Sequence, residues 1–324
     1  MKKTYHDADK IILKRLKKDE GYVSGEDLAN KLSISRQAIW KHIDNFINKG
    51  YEIVAVPHLG YKLISSPDKL YPLEIQHDLK TTSIGKNIFY EHISNSTQDS
   101  IWKLGLDGGQ EGTVVFSESQ RKGRGRMDRA WISPKGGIYF SLLLKPKFLQ
   151  IQEVPQITLM ISLACLKAIK KATGVECQLK WPNDIFLNKK KLGGILCEIH
   201  AETDKVHFVV VGIGINVNSR DLPKTATSLF LSTKNKFSRV EIAKRVLEEI
   251  ETQYKRIKDD GFKDVLKEWS QACFLWGKKI KVKIFDKQIS GQALSIDKRG
   301  YLLIKRDHGS IEKISAGDII KINF

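Results

Sequence analysis

Five basic side chains, Arg121, Lys122, Arg124, Arg126 and Arg129, fall within nine residues of the stretch 120–131. Gly123 and Gly125 interrupt them, Gln120 precedes them, and the indole of Trp131 ends the stretch. Glycines free the backbone to curl so that successive N–H groups can face an anion. Arginines supply forked donors for carboxylate and phosphate oxygens. An indole can stack on a purine or close the loop over it. The stretch therefore suits chemistry that brings two anions together, which only a cationic site tolerates. It equally suits a disordered basic loop that touches nucleic acid, because Arg/Gly-rich strings bind RNA. It is not a Walker A loop, since no GxxxxGK[ST] string occurs.

Four further segments carry chemistry-bearing residues. Lys180-Trp181-Pro182-Asn183-Asp184-Ile185 stands at the end of an expected strand. Asp184 could hold an incoming amine or a metal there, or Asn183 and Asp184 could cap the backbone of their own turn. Lys191-Leu192-Gly193-Gly194 opens another expected strand. Paired glycines allow a ligand close to the backbone, and the lysine beside them can meet a carboxylate; Lys189 and Lys190 read as an ordinary basic turn. Gly212-Ile213-Gly214-Ile215-Asn216 is compatible with nucleotide binding and equally with a bulge in a strand. Ser96-Thr97-Gln98 offers two hydroxyls and an amide, the residue types that cap a helix.

These segments need elements to position them. Residues 7–17 read as a helix with Ile11, Ile12, Leu13 and Leu16 on one side. Ser24, with Asp27 three residues on, caps a second helix whose inward residues are Leu28, Ala29 and Leu32. Ser35 caps a third over 36–49, with Ala38, Ile39, Ile43, Phe46 and Ile47 inward and Gly50 as its terminating glycine. Two short strands, 51–56 and 60–64, follow. Helix, helix, turn, helix and hairpin is the layout of a winged helix-turn-helix. Residues 65–72 read as a linker. Strands are expected at 88–92, 113–118, 138–144, 178–181, 195–200 and 207–213, and long amphipathic helices at 157–173 and 238–258. After Trp276 short alternating strands with glycine turns suggest a small β-barrel. The fold class is thus α+β and multidomain, divided at 1–65, 73–272 and 273–324.

The bulk numbers limit the alternatives. The chain has 324 residues and a formal charge of +18, which favours polyanionic partners such as DNA, nucleotides or an acidic protein. A lysine-rich solvated surface would give the same charge. No apolar run is long enough to span a bilayer, and none follows Met1-Lys2-Lys3 as a signal peptide would require. Cys165, Cys177, Cys197 and Cys273 form no CxxC pair. Free thiols in a reducing cytoplasm are expected, with no metal held by protein side chains.

The order and company of the segments, GRGRMDRAW, KWPNDI, KLGGILCE and GIGINV, resemble the biotin–protein ligase family. With the helix-turn-helix ahead of them, the whole chain resembles the bifunctional form that is also a biotin operon repressor. The resemblance implies a central sheet domain like those of class II synthetases and lipoate ligases, followed by an SH3-like barrel. It implies ATP and Mg²⁺ as cofactors, biotin as substrate, and two steps through a biotinyl adenylate. Ser96, Thr97 and Gln98 would line the biotin pocket. Gln120 and Arg124-Gly125-Arg126 would contact biotin, its carboxylate or the adenylate. Lys191 would meet the carboxylate and the α-phosphate, and Gly193 and Gly194 would admit the ureido ring. Trp131 would pack at the adenine end, Arg129 would meet phosphates, Asn216 would lie near ATP and its metal, and Asp184 would receive the acceptor lysine. Arg124, Arg126, Lys191 and Asp184 would be the catalytic set. The implied partners are the biotin carrier protein of acetyl-CoA carboxylase, operator DNA and a second copy of the chain. For DNA, Ser35, Arg36, Gln37, Lys41, His42 and His58 are the expected contacts. The family loop commonly has glycine where Asp128 stands, so Asp128 sets a negative charge beside the expected ATP site. A DNA-binding sensor without catalysis would have no need of Asp184 or Lys191. Lipoate attachment fits the GRGR loop and KWPND less well than biotin attachment does.

Overall fold

The computed structural model describes residues 7–203 and 205–323. The Met1-Lys2-Lys3 start considered above lies outside the described residues. The chain divides into two compact units, Met1–Asp78 and Leu79–Phe324.

In the first unit, helices α1 (Asp7–Lys18), α2 (Gly25–Leu32) and α3 (Arg36–Asn48) precede a hairpin of β1 (Glu52–Val56) and β2 (Gly60–Ser65). Both caps expected from sequence are made. Asp27 N donates to Ser24 Oγ at 3.3 Å and Ala38 N to Ser35 Oγ at 3.1 Å, each satisfying one orphan donor of a first turn. Gly50 follows α3 in the left-handed region (φ +95), and Tyr51 N closes the turn on Phe46 O at 3.1 Å. Ile12, Leu13, Leu16, Leu28, Ile39, Ile43 and Phe46 form the core. Ile47 and Ile11, expected inward, are 46% and 37% exposed. At 3.6 residues per turn Ile47 sits on the outer side of the arc that Ile39, Ile43 and Phe46 bury. Val23 pairs with Tyr61 across the wing, N to O at 2.8 and 2.9 Å. The segment expected as a linker runs into a short helix, α4 (Pro72–Gln76), with Pro72 at its first turn, where the missing N–H costs nothing. Lys17 Nζ reaches Glu74 at 2.6 Å and ties that helix to the unit.

The second unit is built on a seven-stranded mixed sheet in the order β3-β4-β5-β9-β8-β7-β6. These strands are β3 (Ile88–Glu91), β4 (Val114–Ser117), β5 (Ile138–Leu144), β6 (Gln178–Lys180), β7 (Asp184–Leu187), β8 (Lys190–Ala201) and β9 (Val206–Ile215). Only β3 and β4 run parallel. β4 and β5 are buried at every position, so their runs of Val, Phe and Leu read as continuous rather than alternating. Helix α5 (Thr97–Leu106) covers one part of the sheet through Ile101, which joins Val115, Leu143, Phe208 and Val210 in one cluster. Helices α6 (Pro155–Thr173) and α8 (Arg239–Asp260) pack together and α9 (Lys263–Ala272) packs against both, while α7 (Leu229–Thr233) is a short helix between β9 and α8 in the chain. The chain closes with a five-stranded antiparallel sheet, β13-β12-β11-β10-β14. Its members are β10 (Lys279–Ile284), β11 (Lys287–Ile296), β12 (Leu302–Lys305), β13 (Ile311–Ile314) and β14 (Asp318–Ile322). Trp181 Nε1 donates to Gly300 O at 3.0 Å and Lys180 Nζ to Ile319 O at 3.2 Å, so this small domain is anchored beside the KWPND turn.

Candidate functional site

The basic stretch is an ordered hairpin. Trp131 N donates to Gly123 O at 2.8 Å and Gly125 N to Arg129 O at 2.6 Å. The turn between Arg126 and Arg129 puts Met127 (φ +51) and Asp128 (φ +56) both in the left-handed region, as a two-residue turn of type I′ requires. Aspartate tolerates that region better than most residues, so the departure at position 128 leaves the loop able to close. The N–H groups of Arg121, Lys122 and Gly125 are all taken by backbone carbonyls. In this conformation an anion would therefore meet the loop's side chains rather than a curled backbone.

Those side chains face one pocket. Its walls include Ser96, Thr97, Gln98, Gln120, Arg124, Gly125, Arg126, Arg129, Trp131, Asp184, Lys191 and Gly194. Four segments separated by as much as 98 positions in the chain are thus brought together. Gly193 and Asn216 are not among the lining residues. Asn216 lies behind the wall, its N bonded to Leu192 O at 2.9 Å and its Nδ2 to Thr227 O at 3.1 Å.

The floor is a buried polar network. Ser96 caps α5 through Gln98 N at 3.3 Å. Gln120 Oε1 accepts from Thr97 N at 2.8 Å, and Thr97 Oγ1 lies 2.8 Å from Ser141 Oγ. Ser141 in turn donates to Gln98 Oε1 at 3.0 Å. Such a chain fixes each donor's direction, because an unpaired member would cost about 1–3 kcal/mol. Glycines in the GxGxN segment answer a steric demand. A Cβ at Gly212 would lie 2.5 Å from Gln98 Oε1, and one at Gly214 would lie 2.5 Å from the Trp131 ring. The indole therefore lies against the backbone of β9, with Nε1 buried and unpartnered.

Each cation of the pocket is held by an internal carboxylate. Lys191 Nζ lies 2.6 Å from Asp184 Oδ1 and 5.2 Å from the centre of the Trp131 ring. Lys180 Nζ lies 3.6 Å from the other oxygen of Asp184. Arg124 Nη2 is 2.6 Å from Glu198 and 3.3 Å from Asp99. Arg126 donates to Asn183 Oδ1 at 3.3 Å and lies 3.4 Å from Asp318, which also pairs with Arg129. Burial pulls Lys180 and Arg126 below their ordinary pKa values, and the carboxylates of Asp184 and Asp318 respectively oppose that shift. Sequence reasoning named neither Lys180 nor Asp318 as a site residue. Lys180 had a signal, its place in the KWPND string. Asp318 had none, since it reaches the loop from a strand 189 residues further on.

Burial raises the thiols of Cys165, Cys177, Cys197 and Cys273 to about 12. None is therefore a ready thiolate nucleophile. Among the described residues no cluster of three or more His, Cys, Asp or Glu is arranged for a metal ion, and no helix is long and apolar enough to cross a membrane.

On the first unit, Arg36, Gln37 and Lys41 of α3 and His58 of the wing are exposed. Ser35 is committed to capping α3. His42 turns the other way, its Nδ1 2.8 Å from Oδ1 of the buried Asp9.

A cationic pocket on a mixed sheet, floored by glycines and roofed by an Arg/Gly hairpin, defines a site that draws anionic reactants together. The particular family follows from comparison with known proteins. Residues 90–216 match the biotin/lipoate A/B protein ligase family, residues 10–62 an HTH domain, and residues 276–321 the biotin protein ligase C-terminal domain. The bifunctional ligase/repressor BirA of Bacillus spizizenii is 38% identical over 305 residues, covering 92% of this chain and 93% of the relative. That of Escherichia coli is 28% identical over 305 residues, covering 91% and 92%. The solved biotin protein ligase of Aquifex aeolicus, in complex with biotin and ATP, superposes with a TM-score of 0.64 at 32% identity, over 74% of this chain and 99% of that one. The chain belongs to the biotin–protein ligase family.

Proposed function

We propose that this protein is an ATP-dependent ligase that joins biotin to a lysine of a biotin carrier protein, and that it represses biotin genes by binding their operator as a dimer. In the first step a biotin carboxylate oxygen attacks the α-phosphorus of ATP. The bond between the α- and β-phosphates breaks, giving biotinyl-5′-AMP and pyrophosphate. In the second step the ε-amine of the acceptor lysine attacks the acyl carbon of this mixed anhydride. The acyl–oxygen bond breaks, AMP leaves, and the amine loses its proton.

The observation that carries this reading is the gathering of Arg124, Arg126, Arg129 and Lys191 around one glycine-floored pocket. Carboxylate and triphosphate repel, and fixed cations offset that repulsion without reorganising during the reaction. Ser96, Thr97, Gln98 and Gln120 are proposed to hold the biotin head, with Gly193 and Gly194 admitting its ring. Arg124, Gly125, Arg126 and Lys191 would take the carboxylate and the adenylate. Arg129, Trp131 and Asn216 would serve the nucleotide. Asp184 would orient and deprotonate the acceptor amine once Lys191 has turned to the substrate.

The residues present fit magnesium brought in by ATP. Such an ion keeps several waters and phosphate oxygens and asks little of the protein, and Asn216 Oδ1, a buried oxygen with no hydrogen-bond partner, would have to be uncovered from behind the pocket wall to reach it. Bound there, the ion would neutralise phosphate charge. Residues 1–65 are proposed as the DNA-binding domain, 73–272 as the catalytic domain and 273–324 as its C-terminal partner, acting in the cytoplasm. Incubating the protein with ATP, magnesium and labelled biotin should yield labelled biotinyl-AMP, and adding a biotin carrier protein should move the label to its lysine. Labelled lipoyl-AMP from a parallel incubation with labelled lipoate, with no adenylate formed from biotin, would transfer the reading to lipoate.

A further inference from the structure

Trp40 stands on α3 with 57% of its surface in water, in a unit whose other aromatic residue on that helix, Phe46, is fully buried. At about 100° per residue Trp40 falls about 40° from Arg36 and about 60° from Gln37 around the helix, between the two, and about 6 Å further along the axis. Lys41, Asp44 and the half-exposed Ile47, which lies about 20° from Trp40 and two turns further on, share the exposed face, while Ile39, Phe46 and His42 point away from it and Ile43 is buried at its edge. Asp44 Oδ2 accepts from Asn48 Nδ2 at 3.0 Å, so its charge is turned toward the end of the helix. More than half of the indole's surface lies in water, so burial alone does not explain it, and the nearby Arg36, Lys41 and capped N-terminus of α3 suit phosphates and base edges.

We propose that Trp40 reads thymine methyl groups in the major groove, acting as a sequence-specifying residue beside Arg36 and Gln37. This rests on the DNA-binding half of the proposed function. In the major groove thymine alone presents a methyl group, and apolar side chains recognise it by contact. Arg36 and Gln37 supply hydrogen bonds for guanine and adenine, so an indole between them adds the one signal that hydrogen bonds do not carry. The chosen occupant is DNA rather than a protein because Arg36 and Lys41 stand on the indole's face of the helix, and the one carboxylate between them, that of Asp44, is bonded to Asn48.

The test is fluorescence anisotropy of the full chain, with biotin, ATP and magnesium present, on the duplex upstream of its own biotin genes. Each thymine is replaced in turn by deoxyuridine, which removes only the methyl. The wild-type protein should lose affinity about fourfold at one or two thymines per half-site, the scale of one buried methyl group. Trp40→Ala should bind the thymine duplex about tenfold more weakly, the scale of one lost base contact, and show no thymine–deoxyuridine difference at those positions. Trp40→Phe should keep part of both. Circular dichroism should show both variants folded, since the side chain supports no core. If Trp40→Ala keeps wild-type affinity, or keeps the same thymine dependence, Trp40 is not a base reader although the repressor reading stands. A variant that loses dimer formation, with a wild-type scan flat at every thymine, would make the indole a protein contact and overturn the proposal. Absence of binding by the wild-type protein would overturn the repressor reading itself, and this inference with it.

Discussion

Lys191 holds Asp184 at 2.6 Å and leans over the Trp131 ring, within reach of an incoming carboxylate. Its charge matters most where carboxylate and phosphate oxygens converge, which happens in the transition state rather than in bound biotin. Lys191→Ala should therefore slow adenylate formation by about 2–4 kcal/mol while changing biotin affinity much less. Rapid-quench measurement of biotinyl-AMP beside equilibrium binding of biotin separates the two effects, and a normal rate of adenylate formation would remove Lys191 from the chemistry. Asp184→Asn should leave adenylate formation near normal and slow transfer to the carrier, because an amide cannot accept the amine's proton. A pre-steady-state burst of adenylate followed by wild-type transfer would contradict that role. Arg124 is paired with Glu198 and Asp99 at the surface, where such pairs contribute only about 0–1 kcal/mol. A substrate anion can take the guanidinium from them at small cost. Arg124→Ala should bind biotin and its adenylate more weakly and release the intermediate to water. A wild-type off-rate for biotinyl-AMP in that variant would show that the hairpin does not retain it.

At the scale of elements, the roof of the pocket is a tight hairpin whose turn strains two side-chain-bearing residues. Another element is held by charge. Glu251 of α8 accepts from Thr82 N, Ser83 N and Ile84 N at 2.7–2.9 Å, and from the hydroxyls of Thr82 and Ser83. Burial alone would raise its pKa, but the hydrogen bonds of Lys255 and of the three backbone N–H groups outweigh burial and hold it well below the usual carboxylate range. A folded-state pKa below the unfolded one means stability that is fully present above the unfolded value and lost as pH falls through the folded one. Glu251→Gln should thus destabilise the second unit by about 2–3 kcal/mol at pH 7, with the gap to wild type closing as the pH is lowered below about 4. Urea melts across pH 2–7 would measure this, and a gap independent of pH would contradict it. Elements of this kind differ in how plainly the sequence announces them. The helices of the first unit were legible from their apolar faces and, for α2 and α3, serine caps, α6 and α8 from apolar periodicity over many turns, and β5 from its continuous apolar run. Helices α7 and α9 and strand β7 were not, since α7 and β7 hold only five and four residues and α9 has no side-chain cap to mark its start. The pocket's segments were visible as motifs, whereas the ion pairs that hold them at rest were not. Asp318 meets Arg126 and Arg129 only through the docking of a distant strand, and His42 shows its bond to Asp9 only once α1 and α3 have packed.

The whole molecule divides its charge unevenly. Residues 1–78 hold 13 lysines and arginines against 11 aspartates and glutamates, so +16 of the formal +18 belongs to residues 79–324. DNA affinity in the first unit would then come from the local face of α3 and the wing, while the wider positive field serves the ligase unit and its anionic reactants. Deleting residues 1–78 should abolish operator binding in a gel shift and leave adenylate formation measurable, because the pocket is lined entirely by residues beyond that point. A truncated protein that still shifts the operator would place DNA binding elsewhere. The most direct measurement is a single-turnover reaction of the full chain with labelled biotin, ATP and magnesium, quenched over time and then chased with a biotin carrier protein. Labelled biotinyl-AMP should accumulate in an amount matching the enzyme, and the chase should convert it to carrier labelled on lysine as AMP is released. A protein that forms no acyl-adenylate, or forms one that never passes to the carrier, would contradict the ligase reading.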